Sequence, residues 1–200
     1  MSSRKPADTS APLHPLLAER WSPRGFDTEH VLDDADLVAL LEAARWAPSA
    51  NNSQPWRFLV ARRDEEAFDR LVEILAPGNQ VWAHAAGALI LVAAEAVDET
   101  GLRRPWAHYD TGQAVAALSL QAEARGLHVH QMGGFDADRA HAGFDLDESL
   151  QPVVVVAVGL HDPHAELPEP LAAREAAPRT RQPLESLLLH SAARGERSVA

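Results

Sequence analysis

Six consecutive apolar residues, Val153 to Val158, run through the segment Gln151 to Gly159. No polar residue alternates with them. A strand of this kind has no face to turn toward water, so it belongs in the middle of a sheet covered on both sides. That requirement constrains the rest of the chain, which must supply both further strands and the helices that cover them.

Further elements follow from the periodicity. His14 to Glu19 predicts a short helix. Asp33 to Ala44 predicts the first long one, with Leu37, Leu40, Leu41 and Ala44 on one helical face and Asp33 or Asp34 as cap. Pro48 disfavours helix at Ala47 and ends that element. Trp56 to Ala61 reads as a strand with Trp56, Phe58 and Val60 on one face. Asp64 opens a helix with Phe68, Leu71, Val72 and Leu75 in register, stopping at Pro77-Gly78. Ala88 to Ala94 is strand-like, and Asp98 to Arg104 is a polar loop. The longest helical pattern begins at Pro105 or Trp106 and runs to Arg125, with Gly126 as its left-handed terminator. Leu127 to Met132 is extended. His161 to Pro178 has no strong period and reads as an extended arm. Pro183 to His190 forms a short last helix. Residues 1–13 are expected to be a disordered tail, 14–190 one domain with 161–190 as its arm, and 191–200 a loose tail.

Composition excludes several classes. The chain has 200 residues, a hydrophobic content of 46%, no cysteine and a formal net charge of -11. This suits one domain with a sizeable core. It leaves no disulfide or thiolate chemistry. The acidic balance argues against nucleic-acid binding, which needs a basic footprint. No apolar run reaches the length of a membrane span. Residues 1–11 lack the apolar core of a secretory signal. A cytoplasmic protein is the expectation.

The stretch with most chemical character is Ala47-Pro48-Ser49-Ala50-Asn51-Asn52-Ser53-Gln54-Pro55-Trp56, uncharged and framed by prolines. It is either an ordinary helix-to-strand connection or a loop that sets amides and short polar groups around a flat, uncharged ligand. Arg20-Trp21-Ser22-Pro23-Arg24 can converge on one anion, because guanidinium groups match phosphate oxygens. Asn79 can meet the edge of a ring system or cap a helix. Gly133-Gly134 can let backbone amides approach a ligand or make a tight turn capped by Asp136. His128 and His130 share a strand face, but no third ligand is spaced to complete a metal site. Ser49 and Ser53 lack a nucleophile-elbow setting.

Pro48 to Trp56, preceded by Arg20 to Arg24, resembles the nitroreductase family of FMN-dependent oxidoreductases. Gly78 to Trp82, Tyr109 to Ala114, Gly133 to Asp136 and Arg179 to Leu184 follow in that family's order, so the resemblance spans about residues 14–190. It implies an α+β fold, with a central mixed or antiparallel sheet flanked by helices, an extended C-terminal arm and a homodimer. It also implies FMN, with Arg20, Trp21, Ser22, Arg24, Arg179 and Arg181 at the phosphate and Asn79, Gly133 and Gly134 at the ring. Pro48, Ser49 and Ala50 would reach the other subunit's flavin, and Asn52 and Gln54 of the same loop would also bind the cofactor. Two departures carry consequences. Trp21 stands where the family often has a polar or basic residue, so its contact to phosphate would be through backbone. Gly133 is neutral where some relatives are acidic, which would alter potential and substrate preference.

The implied reaction has two half-reactions at one site: NADH or NADPH reduces flavin, then a nitroaromatic, quinone or related acceptor takes the electrons. No catalytic side chain is needed beyond the flavin. The chain has no G-x-G-x-x-G, so nicotinamide would stack on flavin rather than enter a Rossmann domain. Arg103, Arg104 and Trp106 would flank the substrate channel. The alternatives are a flavin-storing or regulatory module without turnover, and other flavin chemistry such as reductive dehalogenation.

Overall fold

The computed structural model describes residues 5–189, and in chain order its elements are α1 (Pro15–Glu19), α2 (Asp34–Arg45), β1 (Trp56–Arg62), α3 (Glu66–Ile74), α4 (Pro77–Ala83), β2 (Ala88–Glu95), α5 (Ala107–Ala124), β3 (His128–Met132), α6 (Ala137–Gly143), β4 (Leu150–Gly159), α7 (Glu169–Ala176) and α8 (Leu184–Leu187). The four strands form one sheet in the order β1-β2-β4-β3, every pair antiparallel. The fold is α+β, and of the two sheet types expected the antiparallel one is observed.

Side-chain alternation along the strands sorts the interior into two cores. Trp56, Ile90, Val92, Val129, Val156 and Val158 point to one face, with Phe58, Val60 and Val154 packed against them. There they meet Leu37, Leu40 and Ala44 of α2 and Val115, Leu118 and Ala122 of α5. Ala61, Leu89, Leu91, Met132, Val155 and Ala157 point to the other face. There they meet Phe68, Leu71 and Ile74 of α3, Trp82 of α4 and Ala140 of α6. The valine run is therefore covered on both sides, as its lack of alternation requires. β2 is more completely enclosed than β4, being buried along its length except at Glu95. Both strands are central, but the first half of β4, residues 150–154, is less buried than the second.

Helix ends follow local chemistry. Asp33 caps α2 by accepting the Asp36 amide, and Asp136 caps α6 by accepting the Arg139 amide. The His14 side chain accepts the Leu16 amide to start α1. Gly126 adopts φ +75°, the left-handed conformation expected after α5.

Three expectations are corrected. The helix after β1 begins at Glu66, because Asp64 sits in a left-handed turn at φ +73° ahead of it. Pro77 does not end helical structure but starts α4, since a proline in the first turn lacks only an amide that has no partner there. Asn79 thus lies inside α4 rather than beyond a helix. The region 161–178 contains α7, whose Pro168 and Pro170 hide its start from a periodicity reading. Of the final helix read over 183–190, the structure contains Leu184–Leu187, and His190 lies outside the described residues.

Candidate functional site

Residues 5–24 meet residues 175–181 beside the start of β3, where the Trp21 ring lies edge-on to His128. Arg179 Nη1 donates to the carbonyls of Ala18 and Lys5, each at 2.7 Å. That tie seats Arg179 two residues from Arg20, whose own Nη1 donates to Ser22 Oγ at 3.4 Å. Burial, then the neighbouring Arg181, pull the Arg20 guanidinium below its ordinary value, with Glu123 opposing. Burial, then Arg20 and Arg181, do the same to Arg179. Arg20, Arg179 and Arg181 are thus close enough to feel one another's charge, with the Glu123 carboxylate opposing at both Arg20 and Arg179, although most of the chain separates Arg20 from the other two. Such a cluster repels itself and favours an anion in its midst.

Arg24 is not part of that cluster. Its guanidinium lies 3.8 Å from Glu175 of α7, and the Arg24 amide donates to the same carboxylate at 2.9 Å. Of the four arginines expected together, the structure brings Arg179 and Arg181 toward Arg20, while Arg24 faces Glu175. Trp21 is buried, with its ring edge-on to His161 at 5.1 Å and to His128 at 6.3 Å, and Lys5 Nζ lies 4.6 Å over it. Its indole is packing, which leaves only its backbone to face a ligand.

The two histidines of β3 also serve packing. His130 Nδ1 is 2.8 Å from the Pro23 carbonyl, and its ring lies 4.5 Å from Trp82. Burial and then His161 hold His128 down to about 4, so it is neutral near pH 7. Among the described residues no group of three or more His, Cys, Asp or Glu is placed to hold a metal ion.

At the far end of β3 the chemistry changes. The five residues of β3 span roughly 17 Å at about 3.4 Å each. There Asn79 Nδ2 donates to the Gly134 carbonyl at 3.1 Å, and the Ala76 amide donates to the same oxygen at 2.9 Å. A Cβ at Gly134 would come within 3.3 Å of Ala76 Cβ, so the glycine permits this close approach. A Cβ at Gly133 would meet nothing within 4 Å, and its backbone is open to solvent. Asn79, Gly133 and Gly134 therefore come together at one end, and the arginines at the other.

The proline-framed loop lies against the first turns of α5. The Ala50 amide donates to Asp110 Oδ2 at 3.0 Å, and the Gln54 amide donates to Ser49 Oγ at 3.1 Å. Asn51, Asn52 and Gln54 all have left-handed backbone, at φ +53°, +54° and +44°. Three such residues in four make this a shaped segment rather than a plain connection. The Gln54 side chain turns back to the Asn52 carbonyl at 3.2 Å. Pro48, Ser49 and Ala50 share a shallow cavity of about 310 Å³ with Trp106, Tyr109, Asp110 and Gln113. Trp106 is thus beside the loop. Arg104 is held behind it by an ion pair with Glu95, which Arg57 also engages, and Arg103 is exposed.

Sequence reasoning missed Glu175, His161 and Lys5. None stands in a motif, and only long-range packing brings them to Trp21 and Arg24.

The nitroreductase family model matches residues 17–81 and 69–160. The chain belongs to the nitroreductase family. That membership makes it an oxidoreductase. An uncharacterized 15.4 kDa protein of Mycolicibacterium smegmatis is 39% identical over 139 residues, covering 66% of this chain and 92% of that protein. A Bacillus subtilis protein provisionally named NAD(P)H nitroreductase YodC is 26% identical over 175 residues, covering 72% of this chain and 87% of its own. A crystal structure described as an oxidoreductase containing FMN superposes with a TM-score of 0.87 at 35% identity, covering 99% of both chains. The family match stops at residue 160, short of Arg179 and Arg181, whereas the structural likeness to this FMN-containing oxidoreductase covers 99% of the chain and so includes the arm.

Proposed function

We propose that the protein is an FMN-dependent NAD(P)H oxidoreductase acting on nitroaromatic, quinone or related acceptors. The observation that carries this reading is the convergence of Arg20, Arg179 and Arg181 from opposite ends of the chain. Three guanidinium groups with one carboxylate beside them keep a net positive charge that suits a dianionic phosphate, and roughly one strand length away lie open glycine backbone and an oriented carboxamide. Those two unlike ends match the two ends of FMN.

When bound, FMN supplies the hydride and electron chemistry. The chain's residues bind and orient it. Arg20, Arg179 and Arg181 hold the phosphate, with Ser22 oriented by Arg20. Gly133 lets backbone reach the ring, and Asn79, fixed by the Gly134 carbonyl, directs hydrogen bonds to the ring edge. Arg24 supports this end indirectly through Glu175.

A homodimer completes the site in this reading. Val38, Trp46, Trp106 and Tyr109 are large apolar residues left 58%, 76%, 60% and 66% exposed around α2 and the start of α5. Such a patch supports a protein interface. The loop with Pro48, Ser49, Ala50, Asn52 and Gln54 stands beside it, where a second copy would receive it. Among the described residues no helix is long and apolar enough to cross a membrane. A cytoplasmic location is part of the proposal.

The test is titration of the purified protein with FMN, followed by steady-state NADH and NADPH oxidation with a quinone or a nitroarene. Saturable binding that Arg20→Ala weakens at least tenfold supports the reading, since one lost charge-assisted contact is about 1.5–3 kcal/mol. Wild-type protein that takes up no FMN overturns it. Binding without turnover would make the protein a flavin-holding module.

A further inference from the structure

The Arg24–Gly25 turn is an anion site already filled by the chain itself. Glu175 Oε1 accepts the Arg24 amide at 2.9 Å and the Gly25 amide at 3.2 Å, while Oε2 is 3.1 Å from the Arg24 amide. The Arg24 guanidinium stands 3.8 Å from Oε2, and the Glu175 side chain is 15% exposed. These partners are 150 and 151 residues away in sequence. They fix the last turn of α7 onto the segment that follows Arg20. One short span later, Arg179 reaches the Ala18 carbonyl on the other side of Arg20. Glu175 and Arg179 therefore fasten the arm on either side of Arg20, and between them Lys5 Nζ donates to the Ala177 carbonyl at 3.0 Å.

We propose that Glu175 is a positioning residue for cofactor binding: it latches the C-terminal arm so that Arg179 stands beside Arg20. The proposal rests on the FMN reading above. It explains why Arg24, an arginine of the right motif, faces a carboxylate of its own chain. Its role is to hold the latch, and the phosphate is left to the arginines that the latch brings together. Without Glu175 the Arg24 and Gly25 amides lose their acceptor, the last turn of α7 loses its tie to the Arg24–Gly25 turn, and the cation cluster loses its fixed geometry.

The experiment is a double-mutant cycle on the full-length chain, read by FMN titration of apoprotein, with hydrogen exchange at the Arg24 and Gly25 amides as a readout independent of flavin. Glu175→Ala is expected to weaken FMN binding about tenfold, and Glu175→Gln, which keeps one good acceptor, less than Glu175→Ala. In an Arg179→Ala background Glu175→Ala is expected to change affinity less than twofold, because its effect runs through Arg179. Amide exchange at Arg24 and Gly25 rises in both Glu175 variants. Equal weakening in both backgrounds would mean a general structural role and overturn the proposal, as would unchanged affinity in Glu175→Ala. If Glu175→Ala fails to fold, Glu175→Gln carries the same cycle. Failure of wild type to bind FMN, visible in the same titration, would instead remove the cofactor reading.

Discussion

Asp110 offers the sharpest test of how the proline-framed loop is held. It lies in the first turn of α5, is 3% exposed, and accepts the Ala50 amide at 3.0 Å. Two physical roles are available to it. As a charge near a helix N-terminus it would contribute about 0.3–1 kcal/mol, and any neutral residue would lose the same amount. As the anchor of Ala50 it makes a hydrogen bond to a charged acceptor, a contribution of about 1.5–3 kcal/mol. Asp110→Asn keeps an acceptor and loses about 1 kcal/mol. Asp110→Ala leaves the amide unpaired and loses about 2–3 kcal/mol. For a chain of this length each kcal/mol moves Tm by about 2–4 °C, so the alanine variant should melt about 4–12 °C lower and the asparagine variant about 2–4 °C lower. Thermal melts of apoprotein at pH 7 give the ranking, and amide exchange at Ala50 gives the location. The loop needs such an anchor because Asn51, Asn52 and Gln54 all hold left-handed backbone. Equal losses in the two variants, each below about 1 kcal/mol, would refute the anchor and leave only the dipole role.

Two further outcomes follow from the packing. His128 is held down to about 4 against an ordinary 6.5, by burial and then by His161. The unfolded chain therefore takes the proton first, and stability is full above pH 6.5 and lost as pH falls toward 4. The slope is about 1.4 kcal/mol per pH unit for one proton, roughly 3–4 kcal/mol over the whole drop, and His130 and His161 are shifted in the same direction. Urea melts at pH 7, 6 and 5 should show this slope flattened in His128→Gln; an unaltered slope would exclude His128 as its source. A Cβ at Gly25 would lie 2.7 Å from the Asp162 carbonyl oxygen and 2.9 Å from Ala165 Cβ, whereas one at Gly133 would meet nothing within 4 Å. Gly25→Ala should cost about 1–3 kcal/mol and Gly133→Ala should leave Tm unchanged; equal melts for the two variants would contradict the packing.

The sequence by itself determined the layers. Six unbroken apolar residues from Val153 demand a strand covered on both faces, and the Leu37–Ala44 period supplies part of the cover. Gly126 had to end a helix, and Asp136 had to start one, because these are local matters of backbone freedom and capping. The motifs also carried the family resemblance, and the family match bears it out. Which arginines stand together was a different kind of question. Arg20 and Arg24 are close in sequence, yet Glu175 claims Arg24 while Arg179 and Arg181 come to Arg20. Nothing around Glu175 has a period or a motif, so only the path of the arm across the protein decides that pairing. Asp110 and Ala50 are likewise joined by the packing of α5 against the loop. Spacing encodes what neighbours along the chain can do, whereas a site assembled from both ends of a chain depends on distances that only the folded core sets.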